Sequence, residues 1–323
     1  MNQNFILQTQ DLSVWFPIST GVLSGLRPRY IRAVNGVSLS VQRGETLGIV
    51  GESGCGKTTL GRTIMKLQPP TSGRIIFDGT DITDYGFREM KPIRRNLQMI
   101  FRDPYASLDP RMRVGECIGE PLALQQPALT RDERRTAVLK LMEQCGLPEK
   151  DYEKFPHEFS GGQRQRIGIA RALVLHPKLL LCDEPVSALD VSIQAQLINL
   201  MMKLQREYEL TMLFISHDLS VISHVADRVA VMYLGQIVEL ATRDEIFRRP
   251  LHPYTKALLA AVPVIGRRGG AMPLLDGEAP GLTDSPDACP LYNRCAYRKS
   301  CCREAPPQLR ETEPGHLCCC HMV

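Results

Sequence analysis

The sequence predicts an α/β fold: a mixed sheet with flanking helices, interrupted by a helical subdomain, followed by an antiparallel β part and a small cysteine-rich C-terminal appendage. Three observations lead there. Short apolar runs, of the kind a largely parallel sheet buries on both faces, alternate with helix-length amphipathic stretches. A charged, helix-textured stretch from about 103 to 167 interrupts that alternation. Beyond it, a Gly- and Pro-rich segment separates the main body from a tail in which seven of the eleven cysteines lie.

The elements follow in chain order. The opening third is β-rich, with FILQTQDLSVWF, IRAVNGVSLSV and ETLGIVGESG, the last running into a Gly-rich turn. KTTLGRTIMKL then has helical spacing and stops at QPPTSG, giving a strand, loop and helix. After the helical stretch, strands return with KLLLCDEP and LTMLFISHD, separated by the helix-like SIQAQLINLMMKLQREY. RVAVMYLGQIVEL reads as a hairpin, followed by a small helix and LHPYTKALLAAVP. These boundaries place a main domain at 1–265, a linker at 266–288 and a cysteine-rich segment at 289–323. No internal repeat is visible.

With 323 residues, 43% hydrophobic and 23% charged, the chain can bury a sizeable core, so disorder is not the default. A net charge of +4 gives no basic surplus for nucleic acid, which is not expected as a partner. The N-terminal residues lack the basic and apolar regions of a secretory signal, and no run of about eighteen apolar residues occurs. The chain is therefore expected in the cytosol, working at a membrane only by docking onto other chains. In a reducing compartment, clustered cysteines read as metal or cofactor ligands before disulfides.

GESGCGKTT fits G-x-x-x-x-G-K-[ST] through Gly51, Gly56, Lys57 and Thr58, and it follows an apolar strand. Glycines let backbone N–H groups, including those of Ser53, Gly54, Cys55 and Thr59, curl toward phosphate, and the following helix offers its positive end. Lys57 would neutralise the outer phosphates and the Thr58 hydroxyl would ligate Mg²⁺, so a nucleoside triphosphate is the expected ligand. LLLCDEP supplies the second acidic element. Asp183 ends a buried strand, placed to hold Mg²⁺ through its water shell, and Glu184 is placed as general base for the attacking water.

FSGGQRQR (Phe159–Arg166), SALD (Ser187–Asp190) and ISHD (Ile215–Asp218) resemble the signature motif, D-loop and switch histidine of ATP-binding cassette (ABC) ATPases. The implied fold is a P-loop ABC ATPase core. Ser160, Gly161, Gly162 and Gln163 open the helix QRQRIGIARAL, a second helix end able to accept an anion. In that family the P-loop of one subunit faces the signature of another across a sandwiched ATP. The resemblance further implies that His217 contacts the γ-phosphate, that Asp190 belongs to the D-loop, and that an aromatic near the start stacks on adenine. Phe16 fits that spacing best, with Trp15 or Tyr30 as substitutes.

Within the family the chain resembles the dipeptide/oligopeptide permease group, through RAVNGVSLSV, DPYASLDPRM, DEPVSALDVSIQAQ, FISHDLSVI and HPYTKALLAAVP. The insertion FPISTGVLSGLRPRYIRAVNGVSL resembles the second of the two ATPases such importers carry. The implied partners are a non-identical sister ATPase, two membrane-spanning permeases and, indirectly, an extracytoplasmic substrate-binding protein. The implied location is the cytoplasmic face of the membrane. Importers of nickel, glutathione and other small solutes share this branch, so the substrate stays open.

One position departs from the pattern. The family reads Phe-Gln at the end of the strand LQMIF, whereas this chain has Arg102, and Gln98 lies too early to replace it. Arginine offers donors and no acceptor, so it cannot ligate Mg²⁺. Two readings stand: a weakened site whose sister ATPase does most hydrolysis, or an arginine turned toward phosphate or a carboxylate with activity retained.

In the tail, Cys289, Cys295, Cys302 and Cys320 follow a spacing that relatives link to a [4Fe–4S] cluster. Zinc sites favour paired knuckles, which the tail lacks, so iron–sulfur is preferred over zinc or a metal-free tail. Cys301, Cys318 and Cys319 leave the third and fourth ligands open. Cys55, Cys117, Cys145 and Cys182 read as ordinary small residues, with Cys55, inside the phosphate loop, the one placed where oxidation would be felt. A soluble ABC ATPase of DNA repair or translation would need a coiled-coil insertion or two cassettes, and neither is present; a regulatory or metal-sensing module remains a third class.

Overall fold

The computed structural model of the chain describes residues 4–18, 29–261, 275, 281 and 288–323. The expected linker at 266–288 therefore lies outside the described residues except for Leu275, Gly281 and Ala288, as do residues 19–28 of the early insertion. The chain divides into two compact units: Met1–Ile6, Val41–Glu45 and Asp84–Phe214 form one, and Leu7–Ser40, Thr46–Thr83 and Ile215–Val323 the other.

In the first unit, the strands Leu97–Ile100 and Leu179–Asp183 pair in parallel, Leu97 opposite Leu179 and Ile100 opposite Cys182. Thr211–Ile215, which belongs here up to Phe214, flanks Leu179–Asp183 on its other side. Every residue of these last two strands is buried, as continuous apolar runs in a parallel sheet require. The helical texture resolves into Pro104–Ser107, Val114–Gln125, Arg131–Gln144 and Gly161–Leu173, with Val191–Tyr208 after the acidic pair. Arg131–Gln144 begins where TRDE allows a reciprocal cap: the Thr130 hydroxyl accepts from the Glu133 N–H at 3.3 Å, and the Glu133 carboxylate accepts from the Thr130 N–H at 2.7 Å. It buries Val138, Leu141 and Met142, one face at spacing three and four.

In the second unit, Thr46–Val50 pairs in parallel with Arg228–Tyr233, Val50 opposite Val231. The sheet continues antiparallel through Gln236–Thr242 to His316–Cys318 and Arg310–Glu313. The predicted hairpin is thus present, and the cysteine-rich segment adds two strands to its edge that the sequence did not announce. A second sheet has the order Arg29–Gln42, Phe5–Ile18, Ser72–Phe77, Thr80–Asp81. Leu47, Ile49, Leu60 and Ile64, flanking the Gly-rich turn, are fully buried. At roughly 1.5–3 kcal/mol per such side chain, this packing anchors both ends of the turn.

Candidate functional site

In the second unit, the strand Thr46–Val50 delivers the chain into Gly51 and the helix Lys57–Ile64 carries it away. Two glycines are required by contact. A Cβ on Gly51 would lie 2.1 Å from the Met232 carbonyl oxygen, and one on Gly56, whose φ is 109°, only 1.9 Å from that of Ala33. Lys57 is 4% exposed, and its ammonium donates to the carbonyls of Gly51 at 2.8 Å and Glu52 at 2.9 Å. It closes the loop on itself. No side chain caps the helix start and no acidic residue occupies its first turn, leaving its amides suited to an anion. Ser53 and Gly54 are exposed, and Thr58 and Thr59 half-buried in the first turn.

The Cys55 thiol sits as an ordinary small residue does. It is buried beside Lys57, and burial pushes its pKa up despite the lysine's opposing pull. A buried thiol held in its protonated form is poorly placed for oxidation.

Glu52 is a loop residue that no sequence signal singles out. Its N–H donates to the Tyr254 hydroxyl at 2.9 Å, and both carboxylate oxygens accept from Arg294 at 3.1 Å. His217, also in this unit, is exposed just beyond Thr211–Ile215, after Ser216, whose N–H donates to the Ile49 carbonyl at 3.1 Å.

In the first unit, Asp183 and Glu184 end the strand Leu179–Asp183 and are 4% and 7% exposed. Glu184 has φ 47°, a left-handed conformation that costs a non-glycine residue energy and is found at functional sites. Its carbonyl accepts from the Ser187 N–H and hydroxyl at 3.3 and 3.1 Å, folding SALD back as a turn. Arg102 points at this residue: its Nε lies 3.2 Å from Glu184 Oε2, a charge contact without the alignment of a good hydrogen bond. Gln98 donates its amide to the Arg94 carbonyl, so it is spent on its own strand entry.

The signature residues open the helix Gly161–Leu173. The Ser160 hydroxyl accepts from the Gln163 N–H at 3.4 Å and Gln163 Oε1 accepts from the Ser160 N–H at 3.0 Å, while Ser160, Gly161 and Gln163 stay exposed. Gly162 is buried, and a Cβ there would lie 2.5 Å from Ile193 Cγ2. Asp190 is exposed at the start of Val191–Tyr208.

A family model described as ABC transporter matches residues 34–187, and one described as the oligopeptide/dipeptide transporter C-terminal region matches 238–302. The oligopeptide transport ATP-binding protein AppF of Bacillus subtilis is 50% identical, over 99% of this chain and 98% of its own. The di/tripeptide transport ATP-binding protein DppF of Pseudomonas aeruginosa is 44% identical, over 98% and 97%. Among solved structures, a dimeric ATP-binding cassette in a post-hydrolysis state with ADP and Pi superposes at TM-score 0.66 and 28% identity, covering 73% of this chain and 98% of that one. This chain belongs to the ATP-binding subunits of the oligopeptide/dipeptide ABC transporters.

It is accordingly an ABC ATPase. Among the described residues of this ABC ATPase no helix is long and apolar enough to cross a membrane. Phe16 sits half-buried on Phe5–Ile18. Trp15 packs against Tyr30, ring centroids 6.2 Å apart, with the Arg32 guanidinium 4.6 Å from its ring centroid.

The tail brings Cys289, Cys295, Cys302 and Cys320 to the wall of one cavity, near His252 and Tyr297. Burial pushes the Cys289 thiol up to about 11, with Cys302, Cys320 and Cys295 adding to the shift. The other three turn elsewhere: Cys301 is exposed, Cys318 is buried in the strand His316–Cys318, and the Cys319 thiol donates to the Pro307 carbonyl at 3.2 Å. No group of three or more His, Cys, Asp or Glu among the described residues has the arrangement to hold a metal ion. Cys289, Cys295, Cys302 and Cys320 thus have the donor chemistry that the expected [4Fe–4S] or zinc centre needs, but the cavity they line with eight other residues holds only about 10 Å³.

Proposed function

We propose that this ABC ATPase powers an importer of oligopeptides or dipeptides. In this reading it pairs with a non-identical sister ATPase at the cytoplasmic face of the membrane, beneath two permeases fed by an extracytoplasmic binding protein. The observation that carries the reading is the pair of helix starts, the one at Lys57 uncapped and the one at Gly161 capped by the Ser160–Gln163 pair, the second presenting exposed Ser160, Gly161 and Gln163. A chain that carries one phosphate loop and one exposed signature completes two ATP sites only with a second ATPase, and the solved dimeric cassette bound to ADP and Pi supports that assembly. Peptides are favoured over nickel or glutathione because the relatives described above are named for peptide transport.

In this scheme the backbone of Gly51–Thr59 and the Lys57 ammonium bind the phosphates, and Phe16 stacks on adenine. Thr58 and Asp183 are the groups that would hold Mg²⁺, which when bound supplies neutralisation of phosphate charge. Glu184, fixed by its buried turn, orients the attacking water and takes its proton, while His217 contacts the γ-phosphate. Ser160, Gly161, Gly162 and Gln163 serve the partner's nucleotide, and Asp190 lies in the loop that faces it. Arg102, paired with Glu184, restrains the base between turnovers, in keeping with retained but altered hydrolysis.

Residues 1–265 constitute the ATPase domain, with 103–167 as its helical part, joined through 266–288 to the segment 289–323. In that segment Cys289, Cys295, Cys302 and Cys320 are the residues that would hold a [4Fe–4S] cluster; what supports this ligand set over one with Cys301, Cys318 or Cys319 is the shared cavity. The test is ATP hydrolysis by the chain assembled with its sister ATPase and permeases in liposomes. Peptide-loaded binding protein should stimulate the rate and Lys57→Ala should abolish this chain's share; stimulation by nickel or glutathione alone would reassign the substrate.

A further inference from the structure

We infer that Arg294, in the cysteine-rich segment, is a positioning residue for the phosphate loop and sets its affinity for nucleotide. The inference rests on reading Gly51–Thr59 as the site of the nucleotide phosphates. Arg294 ends the turn Tyr292–Arg294, immediately before Cys295, yet its side chain leaves the thiol cavity and is 9% exposed. Its two terminal nitrogens donate to the two carboxylate oxygens of Glu52, each at 3.1 Å, a fork-to-fork pair of the strongest geometry available to these groups. One of them also donates to the Tyr233 hydroxyl at 3.3 Å.

Tyr233 packs on Tyr254, ring centroids 4.5 Å apart, and the Tyr254 hydroxyl accepts the Glu52 N–H. Glu52 is therefore held at both its amide and its carboxylate, while its carbonyl and that of Gly51 hold the Lys57 ammonium. A continuous chain of bonds runs from Arg294 through Glu52 to the lysine that meets phosphate.

Charge gives the arrangement its purpose. A carboxylate inside an anion-binding loop opposes the ligand unless a fixed cation compensates it, and the low-dielectric surroundings enlarge both effects. Arg294 supplies the compensation from outside the loop and in doing so fixes the loop's shape. The turn that presents it is itself closed by backbone bonds from Cys289 N–H to the Cys302 carbonyl at 2.8 Å and from Arg294 N–H to the Leu291 carbonyl at 2.9 Å.

The test is equilibrium titration of the full chain with a fluorescent ATP analogue and Mg²⁺, alongside melting temperatures. Arg294→Met should weaken binding about tenfold, less than a fully buried pair would lose, because the Glu52 side chain left without its partner is 32% exposed. Adding Glu52→Gln to it should restore affinity to within about threefold of the parent, since the uncompensated charge is gone. A merely structural role would lower the melting temperature without this recovery. Arg294→Met within about twofold of the parent, or a double variant as weak as the single, overturns the inference. Should Arg294→Met not fold, Arg294→Lys replaces it: a loss of about threefold that Glu52→Gln reverses supports the inference, and parental affinity overturns it. Lys57→Ala is the control for the underlying reading; if it binds like the parent, the phosphate-loop assignment fails instead.

Discussion

Arg102 lies just beyond the strand Leu97–Ile100 and faces Glu184, so its replacement probes the hydrolytic step directly. At 3.2 Å and an effective dielectric constant of about 20, two unit charges attract by about 5 kcal/mol. That figure needs a large discount, because the Arg102 side chain is 63% exposed and water screens it. Exposed pairs retain about 0.2–1 kcal/mol, and the buried carboxylate places this one toward the upper end. Releasing Glu184 from the pair therefore changes its free energy by at most about 1 kcal/mol, or about fivefold in rate. Arg102→Ala removes the pair and should raise kcat for ATP at saturating MgATP by up to about fivefold with little change in KM. Arg102→Gln removes it and adds a carbonyl acceptor, and should raise kcat further. Unchanged kcat in both variants would refute the restraint, and a tenfold fall in Arg102→Ala would show that the guanidinium serves the reaction itself.

Other positions give sharper losses. Gly56→Ala drives a Cβ to 1.9 Å from the Ala33 carbonyl at φ 109°, so nucleotide binding should disappear and thermal stability fall by several kcal/mol; isothermal titration and melting curves check both. Glu239 is fully buried and accepts the N–H groups of Leu251 at 2.7 Å and His252 at 3.1 Å, with His316 Nε2 2.8 Å away. Glu239→Ala strands these groups and should cost roughly 3–5 kcal/mol in urea denaturation, freeing the segment 310–318 to protease first. Iron analysis of anaerobically purified chain should show loss in Cys302→Ser and Cys320→Ser and retention in Cys301→Ser; equal loss in all three would contradict the ligand set.

The glycine turn before Lys57, the acidic pair closing a buried strand and the capped start of Gly161–Leu173 were legible because each is a local device whose residue types follow from its geometry. Gly51 and Gly56 must be glycine for reasons of contact, and the spacing to Lys57 follows from the turn they permit. Buried strands such as Leu179–Asp183 were legible for a related reason: a parallel strand covered on both faces leaves an uninterrupted apolar run. What stayed hidden depends on residues far apart in the chain. Arg294 and Glu52 are separated by 242 positions, and nothing beside either says that they meet. The strands Arg310–Glu313 and His316–Cys318 carry no alternating apolar signal, because they are short and form at the edge of a sheet whose partner is Gln236–Thr242. The cysteines lie between these cases. Their number pointed to a thiolate site, but which of Cys301 and Cys302 faces inward is decided by the turn on which they sit, leaving one exposed and the other buried. Arg102 showed in the sequence as a missing acceptor, and only the fold supplied the carboxylate it meets.

The most direct measurement is ATP-driven uptake of a labelled oligopeptide, delivered by the proposed binding protein, into liposomes that contain this chain with the proposed sister ATPase and permeases, with Glu184→Gln as the comparison. The account predicts uptake with the parent chain and, with Glu184→Gln, nucleotide binding at parental affinity but strongly reduced uptake. Uptake at the parental rate with Glu184→Gln would contradict it.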